Sequence, residues 1–195
     1  MGWWGARVVR LAVAAASVAG CEPVRDVLEG PAPTPHEAYA EALRDAGLDR
    51  RAVGSGWLAA ADEALEQPLP VTLPFRETGV FPADEIAARG YRIAVRRGER
   101  LVVTVEAEGE AVDSARGASS AGLFVDLFEA DPGEESGWDL VESGDSVLTA
   151  LRHEVDDDGL RLIRLQPELL RVVRYTLTIQ VEPTLAFPVE GHDAG

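Results

Sequence analysis

The spacing of apolar residues along the chain changes character three times. An apolar run, "LAVAAASVAG", ends at Gly20, and a proline-broken stretch, "EPVRDVLEGPAPTP", follows it without any sustained period. From Pro35 the apolar positions recur at helical intervals. Thr34-Pro35-His36-Glu37 reads as a capping box, with Thr34 as N-cap, Pro35 at the first helical position and Glu37 reaching back. The helix it opens places Tyr39, Ala42, Leu43 and Ala46 on one face and closes at Gly47. Asp49 is expected to cap a second helix running to about Glu66, with Val53, Trp57, Ala60, Ala61, Ala64 and Leu65 as its apolar stripe. Pro68 and Pro70 end it, and Trp57 is read as a packing anchor.

Beyond Pro70 the period drops to two. "YRIAVRRGERLVVTVEAEG" holds two alternating runs around Arg97-Gly98, which reads as a β-hairpin with Leu101, Val103 and Val105 on one face. "GLFVDLFEADPGEESGWDLVESGD" supplies two strands around Asp131-Pro132-Gly133. "VLTALRHEV" and "LRLIRLQPE" flank the acidic turn Asp156-Asp157-Asp158-Gly159. In "RYTLTIQVEP" the residues Tyr175, Leu177, Ile179 and Val181 face in while Thr176, Thr178 and Gln180 face out. Counting "PVTLPF", seven or eight short strands result. The expected fold is mainly β, an antiparallel, jelly-roll-like β-sandwich preceded by a short two-helix hairpin and an N-terminal signal segment. The expected organisation is a signal segment over 1–20, a tether over 21–34, helices over 35–67, the sandwich over 68–183 and a linker over 184–195.

Charge removes one class of partner. The 195 residues carry a formal charge of −16, with arginine as the sole strong base. Without Arg7 and Arg10 the remainder sets 34 acids against 16 arginines, a balance of −18. Such a surface repels phosphate backbones, so no nucleic-acid partner is expected. The 46% of apolar residues can fill a real core.

The first twenty residues pair a basic, acid-free start with an apolar run of about ten residues, too short to span a bilayer, which needs roughly twenty. The run ends in "VAGC", and Cys21 is the one cysteine of the chain. Val18-Ala19-Gly20-Cys21 resembles the bacterial lipobox. The resemblance implies cleavage after Gly20 and a diacylglycerol thioether on Cys21. A solitary thiol consumed by lipid cannot mispair in an oxidising compartment.

Reactive groups do not converge. His36 sits in a first helical turn and reads as solvated, His153 as exposed on a strand edge, and His192 as part of a loose tail. His153 and Asp157 have the H-x-x-x-D spacing of a zinc pair, but the downstream H-x-H is missing. Glu154, Asp156, Asp158 and Gly159 mimic the start of a calcium loop, yet its ninth and twelfth positions are Leu162 and Leu165. The "GSG" of residues 54–56 falls inside a predicted helix, and no nucleophile elbow or phosphate loop is present. No catalytic residue, metal site or cofactor is expected for this chain.

The strand pattern of residues 88–183 resembles the pre-peptidase C-terminal type of domain, a jelly-roll-like sandwich found beside secreted peptidases. Val172, Val173 and Arg174 depart from the small residues usual before the last strand's tyrosine. The order of lipobox, "ALEQPLPVTLPFRETGVF", "LFVDLFE", "LRLIRLQPELL" and "LAFPVEG" resembles the N-terminal, non-catalytic region of lysostaphin-type (LytM-like) zinc endopeptidase lipoproteins. That resemblance implies a lipid-anchored, exported envelope protein, with a zinc peptidase domain acting on peptidoglycan beyond Gly195. Zinc would belong to that domain alone. It leaves open a fragment of a complete metallopeptidase, and a stand-alone glycan- or calcium-binding lipoprotein. The implied partners are the membrane through lipidated Cys21, peptidoglycan, or a peptidase domain.

Overall fold

The structure, a computed structural model, describes residues 32–110, 122–130, 137–145 and 148–184. Cys21, His192 and the expected 184–195 linker beyond Thr184 lie outside the described residues, as does the Asp131-Pro132-Gly133 turn. No helix among the described residues is long and apolar enough to cross a membrane.

Among the described residues two helices precede the strands: α1 (Pro35–Asp45) and α2 (Ala52–Glu66), joined through a short 3-10 turn at Leu48–Arg50. The capping box forms, since Thr34 Oγ1 accepts from the Glu37 N–H at 3.2 Å and Glu37 Oε2 accepts from the Thr34 N–H at 2.8 Å. Gly47 takes φ 68°, the left-handed turn out of α1. Asp49, however, does not cap α2. It lies in the 3-10 turn, and the N-cap is Arg51, without a side-chain hydrogen bond.

The buried stripes keep Leu43, Trp57, Ala61 and Ala64 as expected and depart from expectation elsewhere. In α1 it is His36, Ala40 and Leu43 that are buried, while Ala42 and Ala46 face solvent. Reading His36 as solvated shifted that stripe by about one residue. In α2 Gly54, Trp57, Ala61 and Ala64 face inward and Val53 stays exposed.

Nine strands follow among the described residues: β1 (Leu69–Pro70), β2 (Phe75–Phe81), β3 (Arg89–Val95), β4 (Glu99–Glu110), β5 (Leu123–Ala130), β6 (Trp138–Asp145), β7 (Leu148–Glu154), β8 (Gly159–Pro167) and β9 (Val172–Pro183). They form two facing sheets, ordered β1-β3-β8-β5-β6 and β2-β9-β4-β7. Every neighbour is antiparallel except β1, which runs parallel to β3. The chain is therefore a mainly β sandwich with two helices on its N-terminal side.

Two expected turns connect the sheets, and the one read as a β-hairpin does not close one. β3 and β4 lie in different sheets, so the turn at Arg97-Gly98, with Gly98 at φ 80°, carries the chain across the sandwich. The acidic turn between β7 and β8 does the same. Alternation gave each strand an inner face without saying which sheet it joins. "PVTLPF" is likewise broken: Pro70 ends β1, and the next strand starts only at Phe75. Pro70 and Pro74 lack the N–H that a continuous ladder needs.

Between the sheets lies one core of inward side chains, among them Tyr91, Ile93, Leu101, Val103, Val105, Leu127, Ile163, Leu165, Tyr175, Leu177 and Ile179. Val181 packs at its margin. β5 and β8 are buried on both faces, because the helices cover the outer face of their sheet. Phe124 on that face joins Ala40, Leu43 and Trp57 in a second apolar cluster.

The helix layer approaches closely where side chains are missing. A Cβ on Gly90 of β3 would overlap the Ala64 carbonyl of α2. Backbone cannot yield there as a flexible side chain would. Gly90→Ala is expected to destabilise the protein by about 1–3 kcal/mol, read as a lower denaturant midpoint at an unchanged slope. A midpoint equal to that of the wild type would show that α2 does not rest on β3 this tightly.

Candidate functional site

Two polar clusters and a groove stand out among the described residues. The first cluster lies between the helices and the sheet. Asp126 of β5 and Arg164 of β8 stand opposite one another in register, on the face that α1 and α2 cover. Their side chains are 1% and 9% exposed, and Asp126 Oδ2 accepts from Arg164 Nη2 at 2.7 Å and Nε at 3.2 Å. Ser143 of β6 donates to Asp126 Oδ1, and the guanidinium lies 5.1 Å over the Phe128 ring.

His36 seals this pair from above. Arg164 Nη2 is 3.1 Å from His36 Nδ1 and can only donate, so Nδ1 accepts and Nε2–H donates to Gln166 Oε1 at 2.7 Å. Gln166 passes the chain on, donating to the Trp57 carbonyl, while the Trp57 indole N–H donates to the Pro167 carbonyl at 2.8 Å. The imidazole stacks on Trp57 with ring centroids 4.7 Å apart. Burial first, and then the charge of Arg164, hold the His36 imidazole below its ordinary 6.5, against the pull of Gln166, Asp126 and Glu37. A neutral, doubly hydrogen-bonded ring is a joint between layers, not a proton shuttle.

The second cluster ties the two sheets. Glu77 Oε1 on β2 accepts from Tyr175 of β9 at 2.7 Å, Arg89 of β3 at 2.8 Å and Tyr91 of β3 at 2.9 Å. Burial alone would raise the Glu77 carboxyl, but the two tyrosine hydrogen bonds and the Arg89 charge hold it below the usual carboxylate range. Burial, together with its bonds to Tyr91 and Glu77, pushes the Tyr175 phenol far above its ordinary range, so it stays a donor. Gly79, opposite Tyr175 in register, leaves room for that ring.

Glu77, Arg89 and Tyr91 also form the floor of a groove of about 520 Å³ between α2 and β3, walled by Ala60, Glu63 and Ile86. A smaller crevice of about 100 Å³ continues past Ile86 toward Val53 and Leu170. This groove sets polar groups beside apolar walls, the mixture that ligand sites use.

The residues singled out in the sequence do not assemble into a centre. His36 is buried, contrary to expectation, because the layer of α1 closes over it. His153 is not exposed either: its side chain is 18% accessible and sits 3.7 Å from Glu142. Its partner in spacing, Asp157, lies in the inter-sheet turn. Asp158 accepts from the Arg97 N–H at 2.8 Å, and Glu154 binds Arg100 at 2.6 Å and Thr184 at 3.1 Å. These acids hold neighbouring turns together. No group of three or more His, Cys, Asp or Glu among the described residues is placed to hold a metal.

Sequence reasoning missed both polar clusters. The available signal was a polar residue interrupting an otherwise apolar strand: Asp126 in "LFVDLFEA", and Arg164 and Gln166 in "LRLIRLQP". A strand buried on both faces carries such residues only if a partner layer satisfies them.

The two joints lead to separate measurements. Below pH 6.5 the unfolded chain binds a proton that the folded His36 refuses, so this contribution is complete above 6.5 and declines as pH falls. His36→Phe should lose this decline in stability below pH 6.5, seen by comparing chemical denaturation of the two proteins. Parallel curves would remove His36 from the buried network. Asp126→Ala strands the Arg164 charge and should cost about 3–5 kcal/mol. A loss under about 1 kcal/mol, the range of an exposed pair, would mean that the pair is solvated.

No family model matches the chain, and no curated protein matches it either. Among solved structures it is similar to the periplasmic g-type lysozyme inhibitor PliG of Aeromonas hydrophila, at 15% identity and a TM-score of 0.39. That match covers 59% of this chain and 96% of the inhibitor. It is similar to the pre-peptidase C-terminal domain of a Bacillus anthracis collagenase at 11% identity and a TM-score of 0.39, again over 59% and 96%. A third likeness, to the CBM22-1–GH10 modules of Clostridium thermocellum xylanase 10B, has 10% identity and a TM-score of 0.32, covering 48% of this chain and 18% of that one. At these scores the likenesses assign neither a family nor a function.

Proposed function

We propose that the chain is an exported lipoprotein of the bacterial envelope that acts without chemistry of its own, as the accessory region of a peptidoglycan endopeptidase-like lipoprotein. The observation that carries this reading is "VAGC" at residues 18–21, with a basic start, a short apolar run and no second cysteine. Lipid on Cys21 would supply the anchor. Each buried methylene contributes about 0.8 kcal/mol, so one acyl chain holds marginally and two or three hold firmly.

The disposition of ionisable groups supports a non-catalytic role. The buried carboxylate, guanidinium and imidazole of Asp126, Arg164 and His36 are committed to one another. Glu77 is committed through Oε1 to three donors across the two sheets. An accessory domain of this kind positions or shields a neighbouring peptidase domain, or contacts envelope components.

Cys21→Ser is expected to move the protein from the membrane pellet to the soluble fraction in detergent-free fractionation. Mass spectrometry of the wild type should find a diacylglycerol adduct on the N-terminal cysteine of the mature chain. Retention of the variant in the pellet, or an unmodified sulfur on the wild type, would refute the anchor. Murein hydrolysis by the purified chain in a chelator-sensitive manner would refute the accessory role.

A further inference from the structure

The groove along α2 remains unassigned by that reading, and its chemistry is specific. Glu77 spends Oε1 on three donors, while Oε2 makes no hydrogen bond among the described residues. Arg89 spends Nη1 on Glu77 and Tyr175, and its side chain is still 42% exposed. The groove floor therefore presents a carboxylate acceptor beside guanidinium donors. That pairing complements the N–H and C=O of an amide.

The walls add length and polarity. α2 has 15 residues, about 22 Å at 1.5 Å each, which matches an extended peptide of about six residues at 3.3 Å each. Ile86 seats its side chain over Gly56 of α2, 3.3 Å from where a Cβ would stand, and divides the polar floor from the apolar crevice. Val53, Ile86 and Leu170 are each exposed around that crevice, and Leu170 is 65% accessible at a left-handed φ of 59°. A non-glycine residue held there is strained, and such strain collects at binding sites.

Charge decides the occupant. Arg89 is paired with Glu77 and Arg171 with Glu168, whereas Glu63, Asp84 and Glu85 along the same walls make no ion pair among the described residues. We propose that this groove binds an extended peptide bearing a free ammonium group. The backbone amide lies on Glu77 and Arg89, an apolar side chain enters the crevice beside Ile86, and the ammonium faces the unpaired carboxylates.

The test is a titration of the full-length, isotope-labelled chain with acetyl-Leu-Ala-Lys-Ala-amide, and with the same probe carrying Glu in place of Lys. Shift changes should map to residues 53–67, 77, 83–91 and 167–171. The lysine probe should bind about tenfold more tightly than the glutamate probe. Ala60→Arg, a change on the groove wall within a helix that tolerates arginine, should weaken the lysine probe by about tenfold while the thermal unfolding curve stays in place. If that variant does not fold, Glu63→Lys on the exposed face of α2 serves the same purpose. Absence of shifts, shifts elsewhere, equal affinity for the two probes, or an unaffected folded variant would each overturn the proposal. None of these outcomes bears on the lipid anchor, whose readout is membrane fractionation.

Discussion

The pair formed by Asp126 and Arg164 is the constraint on which the arrangement of layers depends. Two charges on neighbouring central strands, 1% and 9% exposed, lie on the outer face of a sheet and would be wet if that face were bare. A buried ion pair is weak evidence for stability, since desolvation consumes most of its attraction. Its consequence here is specificity. Once Phe124, Phe128 and Leu162 make this face apolar, the charges inside it must be satisfied by whatever covers them. His36 supplies an acceptor to Arg164, Gln166 links that ring to the α2 backbone, and Trp57 returns a bond to Pro167. The observed docking of the helices completes this circuit.

The Glu77 cluster plays the matching part between the sheets. An inward-facing glutamate on an edge strand would ordinarily be a defect in a sandwich core. Three donors from β3 and β9 converge on one of its oxygens, so the anion is stabilised where it stands and the two sheets are fixed in mutual register at that end. At the opposite end the work is done by turns. Asp158 binds the Arg97 amide, Gly98 donates to the Val155 carbonyl, and the Thr184 amide donates to the Gly98 carbonyl. With no disulfide possible from one cysteine, these polar joints and the packed core are the cross-links available to the described fold.

The fold class was legible because most strands keep one face in and one face out. The inward sets Leu101, Val103 and Val105, and Tyr175, Leu177 and Ile179, could be read from alternation alone. Sheet membership was not legible, since a strand's period is indifferent to whether its neighbour in sequence pairs beside it or faces it across a core. The Arg97-Gly98 turn shows this: glycine at φ 80° suits a tight reversal in either case. The stripe of α1 was only partly legible, for a related reason. A histidine counts as polar in any periodicity, yet His36 is as buried as Leu43 because its two nitrogens are both satisfied. The groove was invisible for a third reason: its floor and walls come from four separate segments, and long-range proximity leaves no local trace.

The groove also inherits its shape from both polar joints. One wall is α2, held to the sheet through Trp57 and Gln166. Its floor joins β3 of one sheet to Glu77 of the other. Loosening either joint moves a wall relative to the floor, so occupancy and folding are linked. A ligand that requires the closed arrangement stabilises it by an amount set by its concentration relative to its dissociation constant. The same linkage runs backward: a change at His36 or Asp126, which lie outside the lining of the groove, would alter affinity through the position of α2. A binding surface built across three joined bodies thus depends on buried residues that no ligand touches, and those residues, being polar, are the ones that apolar periodicity passes over.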